Sequence, residues 1–98
     1  MIIKESRTDA TLILSLEGRL DTTTAPELEK ALEKNYPSVN ELIFDFEKLD
    51  YMSSAGLRLM LKAQRAMEEH GGILIRHASN LVMSVFEVTG FKNILRFE

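Results

Sequence analysis

The period of apolar positions changes several times along the chain, and each change marks an element. Leu12, Leu14 and Leu16 recur at every second residue of Thr11–Leu16, the spacing of a strand with one buried face. Ile2 and Ile3 open an earlier strand, and the polar stretch Thr8–Ala10 suits the turn between the two. Beyond Gly18-Arg19-Leu20-Asp21 come three threonines. The run Thr24-Ala25-Pro26-Glu27 fits a capping box, with Thr24 closing the first turn and Glu27 reaching back to the Thr24 amide. Pro26 is tolerated there because first-turn amides lack intrahelical partners. The helix that follows should bury Leu28, Ala31 and Leu32 and end near Asn35-Tyr36, ahead of Pro37.

Leu42–Phe46 (LIFDF) reads as a short central strand and Glu47–Met52 as a loop. From Ser53-Ser54-Ala55-Gly56 onward, Leu57, Met60, Leu61 and Met67 recur at helical spacing, which predicts the longest helix over Ala55–Glu69. His70-Gly71-Gly72 stops it through a glycine in the left-handed region. Ile73–Ile75 returns as a strand. Ser79 or Asn80 can cap a third helix with Leu81, Val82, Val85 and Phe86 inward, closed by Gly90 and Phe91, and Ile94–Phe97 is a last short strand. The order is ββαβαβαβ. Strands alternating with helices pair in parallel through right-handed crossovers, so the expected fold is α/β. It is a small mixed sheet, mostly parallel, with an antiparallel N-terminal edge and covering helices.

Composition narrows the function classes. The chain has 98 residues, 45% hydrophobic and 28% charged, as in a folded globular protein, and residues 1–98 are expected to form a single domain. It has no cysteine, so disulfides, zinc-thiolate sites and a cysteine nucleophile are excluded, and a reducing cytoplasm is the expected compartment. No apolar run reaches the roughly 18–20 residues of a membrane span, and the N-terminus lacks the layout of a signal peptide. The net charge is −3, which argues against gripping nucleic acid by bulk electrostatics. That charge is uneven: residues 1–49 hold 6 basic and 10 acidic side chains, residues 50–98 hold 6 and 5.

A search for catalytic motifs finds little. His70 and His77 have no partner at metal-ligand spacing, and HEXXH, GxGxxG, Walker and GxSxG patterns are absent. No cofactor, metal or catalytic residue is expected, and the chain reads as a binding protein rather than an enzyme. A rival enzymatic or nucleotide-binding reading would gather Asp21, Asp45 and Ser54 at the strand ends.

The local feature that stands out is Ser53-Ser54 before the long helix. Either serine serves as a helix cap without further function. The same position also suits a phosphate, because the free amides and partial positive charge of a helix start accommodate it. The segment follows the C-terminal end of a strand, where α/β folds carry functional loops, and Asp21 follows the preceding strand. Arg58, Lys62 and Arg65 form a basic stripe, read either as a solvated face or as an interface for an acidic partner surface. Leu59 and Ala63 lie off the main apolar stripe and widen it toward docking or helix packing.

Three segments carry a resemblance to a known family: Gly18-Arg19-Leu20-Asp21-Thr22-Thr23-Thr24-Ala25, Tyr51-Met52-Ser53-Ser54-Ala55-Gly56-Leu57, and Phe86-Glu87-Val88-Thr89-Gly90-Phe91. With strand runs at matching intervals, the chain resembles the STAS-domain anti-sigma factor antagonists over essentially its whole length. The resemblance implies a bacterial regulator whose serine, at the start of the helix after the third strand, is phosphorylated by an anti-sigma factor that is itself an ATP-dependent serine kinase. A PP2C-type phosphatase reverses the modification. The family pattern is often Asp-Ser-(Ser/Thr)-Gly-Leu; aligned on Gly56-Leu57 it places the acceptor on Ser54, with Ser53 at the acid and Ala55 at the second hydroxyl. Ser53 is thereby a secondary acceptor, and Asp21 falls on an acidic position near it. These readings together give an expected partner-binding set of Asp21, Thr22, Ser53, Ser54, Ala55, Gly56, Arg58, Leu59 and Lys62. A monomer is expected because no amphipathic surplus calls for a second copy, and neither nucleic acid nor membrane is an expected partner. The alternative is a STAS interaction subunit of another signalling scaffold or lipid-transport complex, with Ser54 only a cap.

Overall fold

A computed structural model describes residues 1–98. Five strands, β1 (Ile2–Thr8), β2 (Thr11–Leu20), β3 (Glu41–Met52), β4 (Ile73–Arg76) and β5 (Arg96–Phe97), lie in the sheet in sequence order. Only β1 and β2 are antiparallel; the remaining pairs are parallel. The crossovers are α1 (Ala25–Asn35), α2 (Ser54–Ala66) and α3 (Asn80–Thr89). The expected mixed α/β sheet with an antiparallel N-terminal edge is the fold observed.

One face of the sheet carries the core. Leu12, Leu14, Leu16 and Leu20 of β2 pack with Phe44 and Phe46 of β3, Leu28 and Leu32 of α1, Met60 and Ala63 of α2, and Val82 and Phe86 of α3. Ile43 is buried but stands outside that cluster, on the opposite face with half-buried Ser15, Asp45 and Arg76. The buried Asn35 is satisfied: its amide donates to the Glu5 carboxylate at 2.8 Å and to the Ala31 carbonyl at 2.7 Å. The bond to Glu5 ties the end of α1 to the β1–β2 hairpin. No helix is long and apolar enough to cross a membrane.

The structure corrects several expectations. Glu47–Met52 is strand, not loop: β3 runs on to Met52 beside β2. Two irregularities make this possible. Between Ser15 and Glu17 of β2 the partner strand advances from Asp45 to Lys48, and between Gly18 and Arg19 from Leu49 to Tyr51. The extra residues are β-bulges, and they return Leu49 and Met52 to the core face. The long helix ends at Ala66, and a 3₁₀ turn over Glu68–His70 leads to Gly71, whose φ of +88° provides the left-handed stop. In α3, Ser79 is the cap, accepting from the Val82 amide at 3.2 Å. Leu81, expected inward, is 61% exposed, because α3 rests chiefly on β3 and buries a narrow line through Val82 and Phe86. Ile94 is likewise exposed and precedes β5.

Candidate functional site

The site forms where β2 and β3 end side by side. Leu20 pairs with Met52, and the Ser53 amide donates to the Leu20 carbonyl at 2.9 Å. That bond sets the start of α2 against the Asp21 turn. Gly56 lets the helix come this close: a Cβ there would stand 2.8 Å from Cγ of both Leu20 and Met52. Gly56, expected among the partner-binding residues, is buried, and its part in the structure is this close packing.

Both serines are placed by α2. Ser53 is the N-cap, and its hydroxyl oxygen accepts from the Ala55 amide at 3.2 Å. Ser54 is the first helical residue; it is exposed, and its hydroxyl makes no hydrogen bond. One hydroxyl is thus committed to closing the helix and its neighbour is free for reaction or contact.

The Asp21 turn is built differently from the expected capping box. Thr24 makes no side-chain cap to α1. Its hydroxyl instead accepts from the Asp21 amide at 2.9 Å and donates to the Arg19 carbonyl at 2.8 Å. The Thr24 amide goes to Asp21, through Oδ1 at 3.2 Å, rather than to Glu27. Asp21 Oδ1 also accepts from the Thr23 amide at 3.0 Å and the Thr23 hydroxyl at 2.7 Å. Of these the Thr23 hydroxyl acts most on the carboxyl; burial opposes it, the amides of Thr23 and Thr24 and the Thr24 hydroxyl assist, and the pKa is lowered from its ordinary value. Asp21 is therefore an ionised keystone of its own loop, not a free carboxylate. Its second oxygen lies 3.7 Å from Arg19 Nε, and the Arg19 guanidinium stacks 4.1 Å from the centre of the Tyr51 ring. Arg19 and Tyr51 stand in the segments that carry the resemblance but not among the expected partner-binding residues; only the bulged register pairs them.

A groove of about 270 Å³ runs between α1 and α2, with Thr22, Ala25, Pro26 and Glu29 on one wall and Ala55, Arg58, Leu59 and Lys62 on the other. Five of the expected partner-binding residues thus share one surface. Lys62 bridges the groove to Glu29 at 2.6 Å, and that bond, together with the Glu29 charge, raises its pKa. Leu59 lines the groove yet is only 5% exposed, and Ala63 is fully buried. Both belong to the buried core cluster, so they contribute packing rather than a free docking surface.

Asp45 does not join Asp21 and Ser54. It sits seven residues before the end of β3, roughly 20 Å of strand away, on the face opposite the core. There the His77 ring lies 3.0 Å from Asp45 Oδ1, and donor atoms of Asp45, Glu47 and His77 fall within 4.8 Å of one another. The fold thus gives His77 neighbours of metal-ligand type that its sequence spacing does not show. Glu47 and His77 are exposed. Burial raises the Asp45 carboxyl, but the bonds from His77 and the Glu47 amide and the charges of His77 and Arg76 outweigh it and leave it lowered.

Comparison with known proteins places this geometry. The family model described as Mlab, STAS domain matches residues 3–96. BtrV of Bordetella bronchiseptica, assigned as an anti-sigma factor antagonist, is 31% identical over 96 residues, covering 96% of this chain and 83% of BtrV. The anti-sigma factor antagonist SpoIIAA in its unphosphorylated form superposes with a TM-score of 0.85 at 24% identity, over 99% of this chain and 88% of that one. The phosphorylated form of SpoIIAA, a Bacillus cell fate determinant, gives 0.78 at 23% identity, over 99% and 91%.

Proposed function

The chain belongs to the STAS-domain family, and from that membership we propose that it is a phosphorylation-switched anti-sigma factor antagonist, acting by binding rather than by catalysis. Unmodified, it docks the Ser54 edge and the α1–α2 groove on an anti-sigma factor that is also an ATP-dependent serine kinase, and so releases the sigma factor. The kinase transfers phosphate to Ser54, and a PP2C-type phosphatase removes it. The setting is the bacterial cytoplasm, the free protein is a monomer, and DNA is reached only through the sigma factor. One observation carries the reading: Ser54 is exposed with an unengaged hydroxyl, whereas Ser53 is occupied as the cap. BtrV, which is named for that role and aligns with nearly the whole chain, and SpoIIAA, which has been solved in both phosphorylation states, support it.

The switch works through charge. Phosphorylation adds about −1.5 to −2 charges at neutral pH. Met by no counter-charge from the partner in a docked interface, such a group costs roughly 2–5 kcal/mol, or one to three decades and more in affinity. The helix itself tolerates an anion at its first residue. Ser54→Asp should therefore bind the kinase far more weakly while keeping the wild-type circular dichroism spectrum, and Ser54→Ala should bind whether or not ATP is present. Calorimetry that finds equal affinity for all three proteins contradicts the switch.

A second reading rests on Ser53. It stands where the family pattern has an acid and is already used as a cap, which suits a STAS interaction subunit of a signalling scaffold or lipid-transport complex with no phospho-switch. A pull-down from the native cell separates the two: an ATP-binding kinase supports the first, membrane-transport subunits the second.

A further inference from the structure

We propose that Arg58 is the built-in counter-charge for phosphate carried by Ser54, so that modification folds this guanidinium back along α2 and withdraws it from the groove. The inference rests on Ser54 being the modified residue. Ser54 and Arg58 are four apart on α2, which puts them on one helix face with Cβ atoms about 6 Å apart. Both are exposed. Arg58 takes part in none of the six ion pairs of the molecule. The rest of the basic stripe is unavailable. Lys62 is held by Glu29 at 2.6 Å and lies about 12 Å along the axis from Ser54, and Arg65 lies about 16 Å away, at 1.5 Å of rise per residue. Of the acidic neighbours, Glu29 is bound to Lys62, and Asp21 is engaged by Thr23, Thr24 and Arg19.

The chemistry of the pair is direct. In the transfer, the bond between the γ-phosphorus and the bridging oxygen of the kinase's ATP breaks, a bond from that phosphorus to Ser54 Oγ forms, ADP leaves with the electron pair of the broken bond, and the hydroxyl proton passes to solvent. The new dianion has three acceptor oxygens, and a guanidinium presents parallel N–H donors that match two of them. In the unmodified protein Arg58 faces the groove beside Ala55 and Leu59. After transfer its partner lies one turn back on its own helix. Phosphorylation therefore draws a cation out of the groove as well as adding an anion to the Ser54 edge.

The test needs no kinase. Full-length protein carrying phosphoserine at position 54, introduced during translation, is titrated by ³¹P NMR with Arg58 intact and as Arg58→Gln, with Arg65→Gln as a control. With Arg58 present, the second phosphate ionisation should fall about 0.3 unit below its value in Arg58→Gln. The Arg58 Nε–H resonance should shift on modification, and Arg65→Gln should titrate like the parent. Circular dichroism checks that every variant is folded. Identical titrations for Arg58 and Arg58→Gln overturn the pairing even if a kinase modifies Ser54. A lowered ionisation that depends on Arg58 supports it even if the native kinase is found to act elsewhere, an outcome that would instead defeat the switch.

Discussion

Replacing Gly56 by alanine tests how the candidate site is held in place. The added Cβ would stand 2.8 Å from Leu20 Cγ, 2.8 Å from Met52 Cγ and 3.0 Å from Leu20 Cδ2. None of these atoms can retreat easily, because Leu20 is fully buried and Met52 is 3% exposed. Overpacking of this kind costs about 1–3 kcal/mol. Alanine recovers some of it, since glycine is worse in a helix by roughly 0.5–1 kcal/mol. Gly56 lies in the first turn of α2, where the recovery is at the low end. The net expectation is a loss of about 0.5–2.5 kcal/mol, or roughly 2–12 °C in Tm for a domain of this size. The start of α2 should also tilt away from the ends of β2 and β3, shifting amide resonances of Leu20, Ser53 and Ser54 more than those of α3. Urea denaturation and ¹H–¹⁵N spectra read both effects. Unchanged or raised stability with unmoved resonances at Ser53 and Ser54 would refute the close-packing explanation.

Other outcomes follow from the same contacts. Ser53→Ala should lose about 1 kcal/mol of stability with its cap bond to the Ala55 amide, whereas Ser54→Ala should lie within about 0.5 kcal/mol of wild type; equal losses in urea titrations would contradict the division of labour between the two serines. Asp45 has a lowered pKa in the folded state, so its contribution is present above the ordinary carboxylate range and fades as pH drops through the folded value. Stability measured from pH 6 down to pH 2 should therefore fall on the acid side, and Asp45→Asn should flatten that limb by less than about 1 kcal/mol, the pair with His77 being part-exposed.

Much of the fold was legible in the sequence because local signals and burial agree. The alternation of Leu12, Leu14 and Leu16, the helical spacing of Leu57 and Met60, and the glycine stop at Gly71 all have one reading. β3 failed that test beyond Phe46. Its inward residues Phe44, Phe46, Leu49 and Met52 are spaced by two, three and three, and the charges between them imitate a loop. Only pairing with β2, through the two bulges, shows that the strand continues. The capping box failed for a related reason. Thr24 and Glu27 stand at the right spacing, but Asp21 competes for the Thr24 amide and wins because the turn brings its carboxylate there. Leu59 and Ala63 were ambiguous on a helical wheel, and their burial in the core decides them. The approach of His77 to Asp45 and Glu47, across two strands and a loop, left no trace in sequence spacing at all. At the candidate site, Ser54 was legible in place and exposure, while the separate duties of Ser53 and Gly56 are set by the folded arrangement of β2, β3 and α2.

Peptide-level mass spectrometry after incubating the full chain with ATP and the kinase captured from its native cell puts the most weight on a single residue. A stoichiometric phosphate on Ser54, with Ser53 unmodified and the complex dissociating as the label accumulates, is the expected result. Phosphate found only at a residue remote from the start of α2, or a complex that persists unchanged once Ser54 is fully modified, would contradict it.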